Sequence, residues 1–315
     1  MKFWTNHFLS FFVITSTLTA DNYSLNFDGQ NDYVDLGQNL LSGTSDFSIS
    51  LWANSTSSSS DQILIQKRDA NGFNGEYLLL LKSNGKIKIW TYRNGYQWTV
   101  VSPESYNDGE WHHIVAVQDN TINGGRLYVD GVEVGSSSNG VVNLMGPLRT
   151  YLGADMRDFG AYLNGYLDNI MIYSDVLTTD EIELLYNNDN SLNDNIVGYW
   201  NCNTGSGNIL YDQSGNANNG TIFGATWSNN TIAKSIYVST SGSDENGDGT
   251  FEDPYFTIQK GIDNSNDGDS VFVAAGEYVE NINLSGKNIA LIGENYLETI
   301  IDGNRSGSAV TFNNE

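Results

Sequence analysis

Hydrophobic and polar positions alternate with a period of two through much of this chain. Phe47, Ile49 and Leu51 alternate with Ser48, Ser50 and Trp52, the pattern of a strand with one face turned to a core. Asn84-Gly85, Asn94-Gly95 and Asp130-Gly131 stand between apolar runs such as Leu78–Leu81 and Ile87–Trp90. These dipeptides supply the positive φ angles of tight turns, so the pattern predicts hairpins. Many short strands between about residues 21 and 190 predict an antiparallel sandwich. One helix interrupts them. Thr178 and Glu181 form a capping box ahead of Ile182, Leu184 and Leu185, which predicts a helix from near Thr178 through Leu185.

From Ser235 the pattern changes. Ile236-Tyr237-Val238 precedes a polar loop, Ser239–Asp253, and a short helix expected around Phe256–Ile262. Short apolar strands then recur at Val271–Val273, Ile282–Leu284, Ile289–Ile292, Thr299–Ile301 and Ala309–Phe312. Matching 271 to 289, 282 to 299 and 289 to 309 gives offsets of 18, 17 and 20. A period near 20 predicts a β-solenoid.

The first twenty residues form neither pattern. Met1-Lys2, an apolar run from about Phe8 to Ile14, and Thr15 through Ala20 describe a secretory signal peptide cut before Asp21. The run is shorter than the roughly 20 apolar residues that a membrane span needs. The expectation is a secreted or cell-surface protein, of bacterial type, with no membrane insertion after cleavage.

Composition narrows the chemistry. The chain has 315 residues and carries 14 Lys+Arg against 38 Asp+Glu, a formal net charge of −24, which argues against nucleic acid as a partner. With 40 Asn, 32 Ser and 33 Gly against 3 Pro, it is built for polar turns between short strands. Cys202, the single cysteine, excludes a disulfide framework and a thiolate zinc cluster, and reads as a small core residue. His112 and His113 are adjacent on a strand and face opposite sides, so they cannot chelate one metal.

Several motifs carry a family resemblance. Phe27-Asp28-Gly29, Asp32-Tyr33-Val34 and Phe47–Trp52 resemble the opening of a LamG-like jelly-roll domain of the concanavalin A-like superfamily. So do Trp111–Ala116, Leu127–Gly131 and Gly165–Asn169, the last running into Ile172-Tyr173 and the helix start. The resemblance implies a two-sheet sandwich, commonly a carbohydrate-binding or adhesive module that often holds structural calcium. Gly198–Asn201, Asp212–Asn216 and Gly220–Trp227 resemble the N-terminal strands of the same family, here placed after the domain. Some 30 residues cannot bury a core alone, so they are expected to dock on the sandwich. Asp267–Val271, Gly276–Tyr278 and Lys287–Gly293 resemble the cap and first coils of right-handed parallel β-helix proteins of the pectate-lyase-like superfamily. The expected fold is all-β: an antiparallel jelly-roll β-sandwich followed by the N-terminal cap and first coils of a right-handed parallel β-helix. Its parts are a signal peptide at 1–20, the sandwich at 21–190, a docking strand segment at 191–233 and a β-helix start at 234–315.

Two sets of residues are candidates for binding. Asp28 and Asp168, with Asp32 and Asp212 as weaker additions, could offer carboxylates to a structural Ca2+, which takes six to eight oxygen ligands. The alternative is that they are turn formers whose side chains hold backbone amides. Trp90, Tyr92 and Trp98 share parity about the Asn94-Gly95 turn and could stack on sugar rings, with Asn71, Asn74 and Glu76 orienting the saccharide. The alternative is core packing. Asp244–Gly249 matches the first half of an EF-hand-like loop, but Tyr255 stands at the twelfth position, where a bidentate Glu is needed. The Glu-x-Asp-x-x-Glu pattern of sandwich-fold glucanases is absent from the sequence. Asp180, Glu181 and Glu183 sit on the short helix, where solvation explains them.

These readings describe a secreted, calcium-stabilised carbohydrate-binding or adhesive protein without a catalytic site of its own. Its partner would be a polysaccharide or cell-surface glycan, or a protein adhesion partner. The alternatives are the targeting module and stub of a polysaccharide lyase or glycosidase, and a structural cell-surface protein. Repeat folds need about three repeats and a terminal cap, whereas the chain reaches Glu315 about two coils in. We therefore expect a C-terminally truncated form of a longer protein. The intact mass of the native product should exceed 34.7 kDa less the leader, and a mass equal to that value overturns the expectation.

Overall fold

The alternating segments pair into two eight-stranded sheets, antiparallel throughout. The structure, a computed structural model, describes residues 22–312 apart from 69–73, 94–95, 145, 147, 156–159, 188–191, 193 and 267. The proposed leader therefore lies outside the described residues, as do Asn71, Asp267, the chain end at 313–315 and the Asn94-Gly95 turn. Strands β1 to β5 run Ser24–Asp28, Tyr33–Gln38, Phe47–Asn54, Gln62–Arg68 and Asn74–Leu81. Strands β6 to β10 run Ile87–Arg93, Tyr96–Val101, His112–Asp119, Gly124–Val129 and Val132–Ser137. Then follow β11 (Arg149–Leu152), β12 (Asn164–Tyr173), helix α1 (Thr179–Tyr186) and β13 (Ile196–Trp200). Strands β14, β15 and β16 are Ile209–Leu210, Gly220–Phe223 and Thr226–Ser228.

The first sheet has the order β10-β9-β8-β3-β12-β1-β16, with β13 also on β12. The second runs β14-β15-β2-β11-β4-β5-β6-β7. Strands β1 and β13 divide one edge of β12 between them, β1 against Asn164–Leu167 and β13 against Ile170–Tyr173. The segment after residue 195 thus contributes to both sheets. Between them lies one apolar core that includes Phe27, Phe47, Ile49, Leu51, Ile65, Leu79, Ile89, Trp98, Ile114 and Trp200. At the β9–β10 turn Asp130 and Gly131 both take positive φ, 51° and 77°, as an Asp-Gly hairpin requires.

The first sheet departs from simple alternation. All eight residues of β3 are buried, Ser48, Ser50 and Trp52 included. The reason is α1, which lays Ile182 and Leu185 over Val115, Val117, Tyr128, Met171 and Tyr173 on the outer side of that sheet. Ser48 is satisfied there because its Oγ donates to Asp175 O and accepts from Leu177 N. The capping box that starts the helix is formed, with Thr178 Oγ1 accepting from Glu181 N and Thr178 N donating to the Glu181 carboxylate.

Beyond residue 234 the strands pair in parallel. Strand β17 (Ser235–Val238) is followed by α2 (Ile258–Asp263), β18 (Ser270–Val273), β19 (Gly276–Tyr278) and β20 (Ile282–Asn283). Then come β21 (Ala290–Gly293), β22 (Thr299–Ile301) and β23 (Val310–Thr311). They form three small sheets, β17-β18-β21, β19-β22 and β20-β23. The pairings correct the repeat read from the sequence. Val271 lies beside Leu291, Tyr278 beside Ile301 and Ile282 beside Val310, giving offsets of 20, 23 and 28. The match of 271 to 289 joins the right strands two residues out of register, whereas 282 to 299 and 289 to 309 join strands of different sheets, because the connections between sheets differ in length. The apolar residues of this region, among them Val238, Ile258, Ile262, Val271 and Ile282, form a second core under α2.

The sandwich core also holds a lysine. Lys67 on β4 pairs with Thr150 and Tyr77 on its two sides and is buried with them on the inner face. Its Nζ donates to Leu40 O at 2.5 Å. Burial disfavours the charged amine and pulls its pKa down to about 8. Between that value and the ordinary lysine value of 10.5 the unfolded chain binds the extra proton, so this group makes stability rise with pH across that window. Below it the penalty is fully present. Lys67→Met should therefore melt higher than the parent at neutral pH, and the gap should narrow from pH 8 to 10.5. A gap independent of pH in melting curves would overturn the assignment.

Candidate functional site

Pleating sends every second side chain of the second sheet away from the core, and register aligns them across the strands. One such row reads Thr221, Asp35, Tyr151, Gln66, Leu78, Trp90 and Thr99, crossing from β15 to β7. Arg68 and Glu76 belong to the same outer face, two positions along from Gln66 and Leu78. After β11 the chain folds back. Asp155 N donates to Gly160 O at 3.0 Å, and Ala161 O accepts from Ile63 N at 2.9 Å, which sets Asp155 beside Arg68.

Trp90 and Tyr92 stand side by side on β6, their rings 5.8 Å apart and 6° from parallel. Trp90 is half-buried against Ile63, Leu78, Leu80 and Ala161. The Arg68 guanidinium carbon lies 5.9 Å from the Trp90 ring centroid, within cation–π range. Arg68 also pairs with Glu76, 3.5 Å away, and with Asp155; the three side chains are 7%, 0% and 10% exposed. Next to them Gln66 is fully buried, and among the described residues neither end of its amide has a hydrogen-bond partner. The face therefore presents a pair of aromatic rings above a floor of buried charged and polar side chains.

Of the aromatic residues singled out from the sequence, Trp90 and Tyr92 come together here with Glu76. Trp98 does not. The β6–β7 register sets Trp98 opposite Thr91, one residue out of phase with Trp90 and Tyr92, so it enters the core. It is fully buried, its Nε1 donates to Gln118 Oε1 at 2.8 Å, and a Cβ added at Gly125 would meet its ring at 2.3 Å. Parity in the numbering failed because the turn shifted the phase. The side chain of Asn74 lies outside the described residues.

Of the four aspartates expected around a shared cation, the structure brings Asp28 and Asp32 together and sets Asp168 apart from them. Asp28 faces Asn164 whereas Asp168 lies four residues further along β12, about 13 Å away at strand spacing. Asp28 is exposed and accepts from Gln30 N and Gln30 Nε2, closing a turn. Asp32 accepts from Asp28 N and is buried; burial, more than the Asp28 charge, raises its pKa. Asp168 is 1% exposed, and burial drives its carboxyl well above the usual range. Asp212 accepts from the amides of Tyr199, Ser214 and Asn218; although burial opposes them, these hydrogen bonds hold its carboxyl below the usual range. The four carboxylates therefore do not converge on one point. Among the described residues no group of three or more His, Cys, Asp or Glu side chains could hold a metal.

Other chemistry-bearing residues are accounted for locally. Asp244 receives Phe256 N, Thr257 N and Thr257 Oγ1, which fixes the approach to α2. His113 is buried against Ser50, and burial pulls it down to about 4. His112 bridges Asp130 and Asp108; although burial opposes the charge, these two carboxylates raise its pKa. Gln66, Arg68, Asp155, Tyr33 and Tyr151 were missed in the sequence. Gln66-Lys67-Arg68 is an unbroken polar run that hides which residues face outward, and Asp155 reaches the face only through a bridge to Gly160.

Comparison with known proteins bears on the fold. Residues 28–183 match the family model of the concanavalin A-like lectin/glucanases superfamily. No curated protein sequence matches the chain. Among solved structures, a Bacteroides ovatus protein described as carbohydrate-binding superposes with a TM-score of 0.53 at 15% identity, covering 67% of this chain and 60% of that one. A heptameric SAP-like pentraxin from Limulus polyphemus gives 0.42 at 14% identity, over 53% of this chain and 82% of that one. Domain 4 of a Geobacillus stearothermophilus extracellular arabinanase, solved with arabinotriose, gives 0.43 at 20%, over 52% and 76%.

The charge cluster yields a stability test. Arg68→Met leaves Glu76 buried beside an apolar side chain, which should cost about 3–5 kcal/mol in urea unfolding. Adding Glu76→Gln should restore part of that loss. A cost below 1 kcal/mol for the single change would show that Arg68 does not hold the cluster together.

Proposed function

We propose that this chain, whose residues 28–183 form a concanavalin A-like jelly-roll domain, is a secreted saccharide-binding protein that acts by recognition and not by catalysis. The reading rests on one arrangement, the near-parallel Trp90–Tyr92 pair beside the Arg68, Glu76 and Asp155 cluster. Pyranose rings have apolar faces that stack on aromatic rings and hydroxyls that exchange hydrogen bonds with amides and charged groups. The family match and the Bacteroides ovatus likeness support the fold on which such a face is built. The leader at 1–20 would direct export, and no helix among the described residues is long and apolar enough to cross a membrane. The small parallel sheets are read as the opening of a right-handed β-helix, since β18, β19 and β20 each receive one later strand in the same direction. The calcium expected from the sequence has only the adjacent Asp28 and Asp32 behind it, and the saccharide reading does not depend on it.

Binding of a polysaccharide panel by affinity electrophoresis tests the proposal. Tyr92→Ala should weaken binding about tenfold for the glycan retained, the size of one stacking contact, with the melting temperature kept near that of the parent. Retention of no glycan, or unchanged affinity in Tyr92→Ala, would refute it.

A further inference from the structure

The outer face carries a second group of aromatic rings, formed partly by strands beyond the segment that matches the family. Phe223 of β15 stacks on Tyr33 of β2 with centroids 4.6 Å apart and planes 15° from parallel. Tyr151 of β11 closes the group edge-on to Tyr33 at 6.1 Å. Phe223 is 43% exposed, so this is a ring stack open to solvent. Polar groups flank it, since Arg149 forms a two-point pair with Asp35, its Nε 3.0 Å from Oδ2. Tyr151 pairs directly with Gln66, and Gln66 with Leu78, whose other neighbour is Trp90. The two ring groups therefore stand on one row of the sheet, with the buried Gln66 and Leu78 between them. Five strand spacings separate β15 from β6, about 24 Å.

We propose that Phe223, Tyr33 and Tyr151 form a second subsite, and that the whole face takes an extended, uncharged polysaccharide strand lying across the β-strands. This deepens the saccharide-binding reading and rests on it. The span exceeds what one or two sugar units can bridge, so both ring groups are engaged together by a ligand of several units. The charge of the face selects the ligand. Among the described side chains Asp35, Glu76 and Asp155 are balanced by Arg68, Lys88 and Arg149, three against three, on a chain whose formal net charge is −24. A polyuronate would meet the long-range repulsion of the chain without a compensating cationic face. A neutral strand meets neither.

The test uses the full chain and size-defined oligosaccharides, from disaccharide to hexasaccharide, of xylan, arabinan, mannan and β-glucan, with oligogalacturonates as the anionic series. Calorimetry should show affinity rising with length in a neutral series. Phe223→Ala should lose about tenfold for the longest member and leave the shortest unchanged, while Phe223→Trp keeps the length dependence. If Phe223→Ala binds the longest member as the parent does while Tyr92→Ala is weakened, the second subsite is overturned and the first stands. If neither substitution changes binding, or no oligosaccharide binds, both fall. Tighter binding of the oligogalacturonates than of every neutral series overturns the choice of an uncharged ligand.

Discussion

The phase of the β6–β7 hairpin divides the aromatic residues between the two sides of the second sheet. With Thr91 opposite Trp98, one of that hairpin's two indoles enters the core, where Gln118 receives its N–H. The same phase turns Trp90 and Tyr92 outward, Trp90 onto the row of Leu78 and Gln66 and Tyr92 opposite Glu76. A slip of one residue would expose Trp98 and force Trp90 and Tyr92 inward, exchanging core and binding face together. Gly125 guards this arrangement, because any side chain there would collide with the Trp98 ring.

What the sequence made legible was local. The Asp130-Gly131 turn and the Thr178–Glu181 capping box each depend on a few adjacent residues, and each forms as read. What it hid depends on partners distant in the chain. Ser48 and Ser50 read as a solvent face until α1, more than a hundred residues later, covers them. Asp28 and Asp168 belong to neighbouring strands, yet their antiparallel register sets them at different heights. The pairing of Ile282 with Val310 instead of a residue near 299 follows from unequal connections that no apolar count reveals. Asp155 joins Arg68 only because the chain doubles back after β11.

Within the face, order comes from burial as much as from charge. Arg68, Glu76 and Asp155 are withdrawn from water, so their mutual attraction is less screened than that of an exposed pair and fixes the guanidinium near Trp90. A rigid floor of this kind loses little conformational freedom when something binds. The Phe223–Tyr33 stack is held in another way, by cross-strand neighbours of one ladder, and inherits its spacing from the sheet itself.

Strand β1 opens the described chain and finds its partners late. Leu25 pairs with Leu167 on one side and with Trp227 on the other, separations of 142 and 202 residues. Contacts so distant in sequence must close large loops before they return any stability, which makes folding slow. The sandwich cannot complete its first sheet until residue 228 has left the ribosome. Until then one edge of β1 stays unpaired, the kind of surface on which incomplete chains stick to one another.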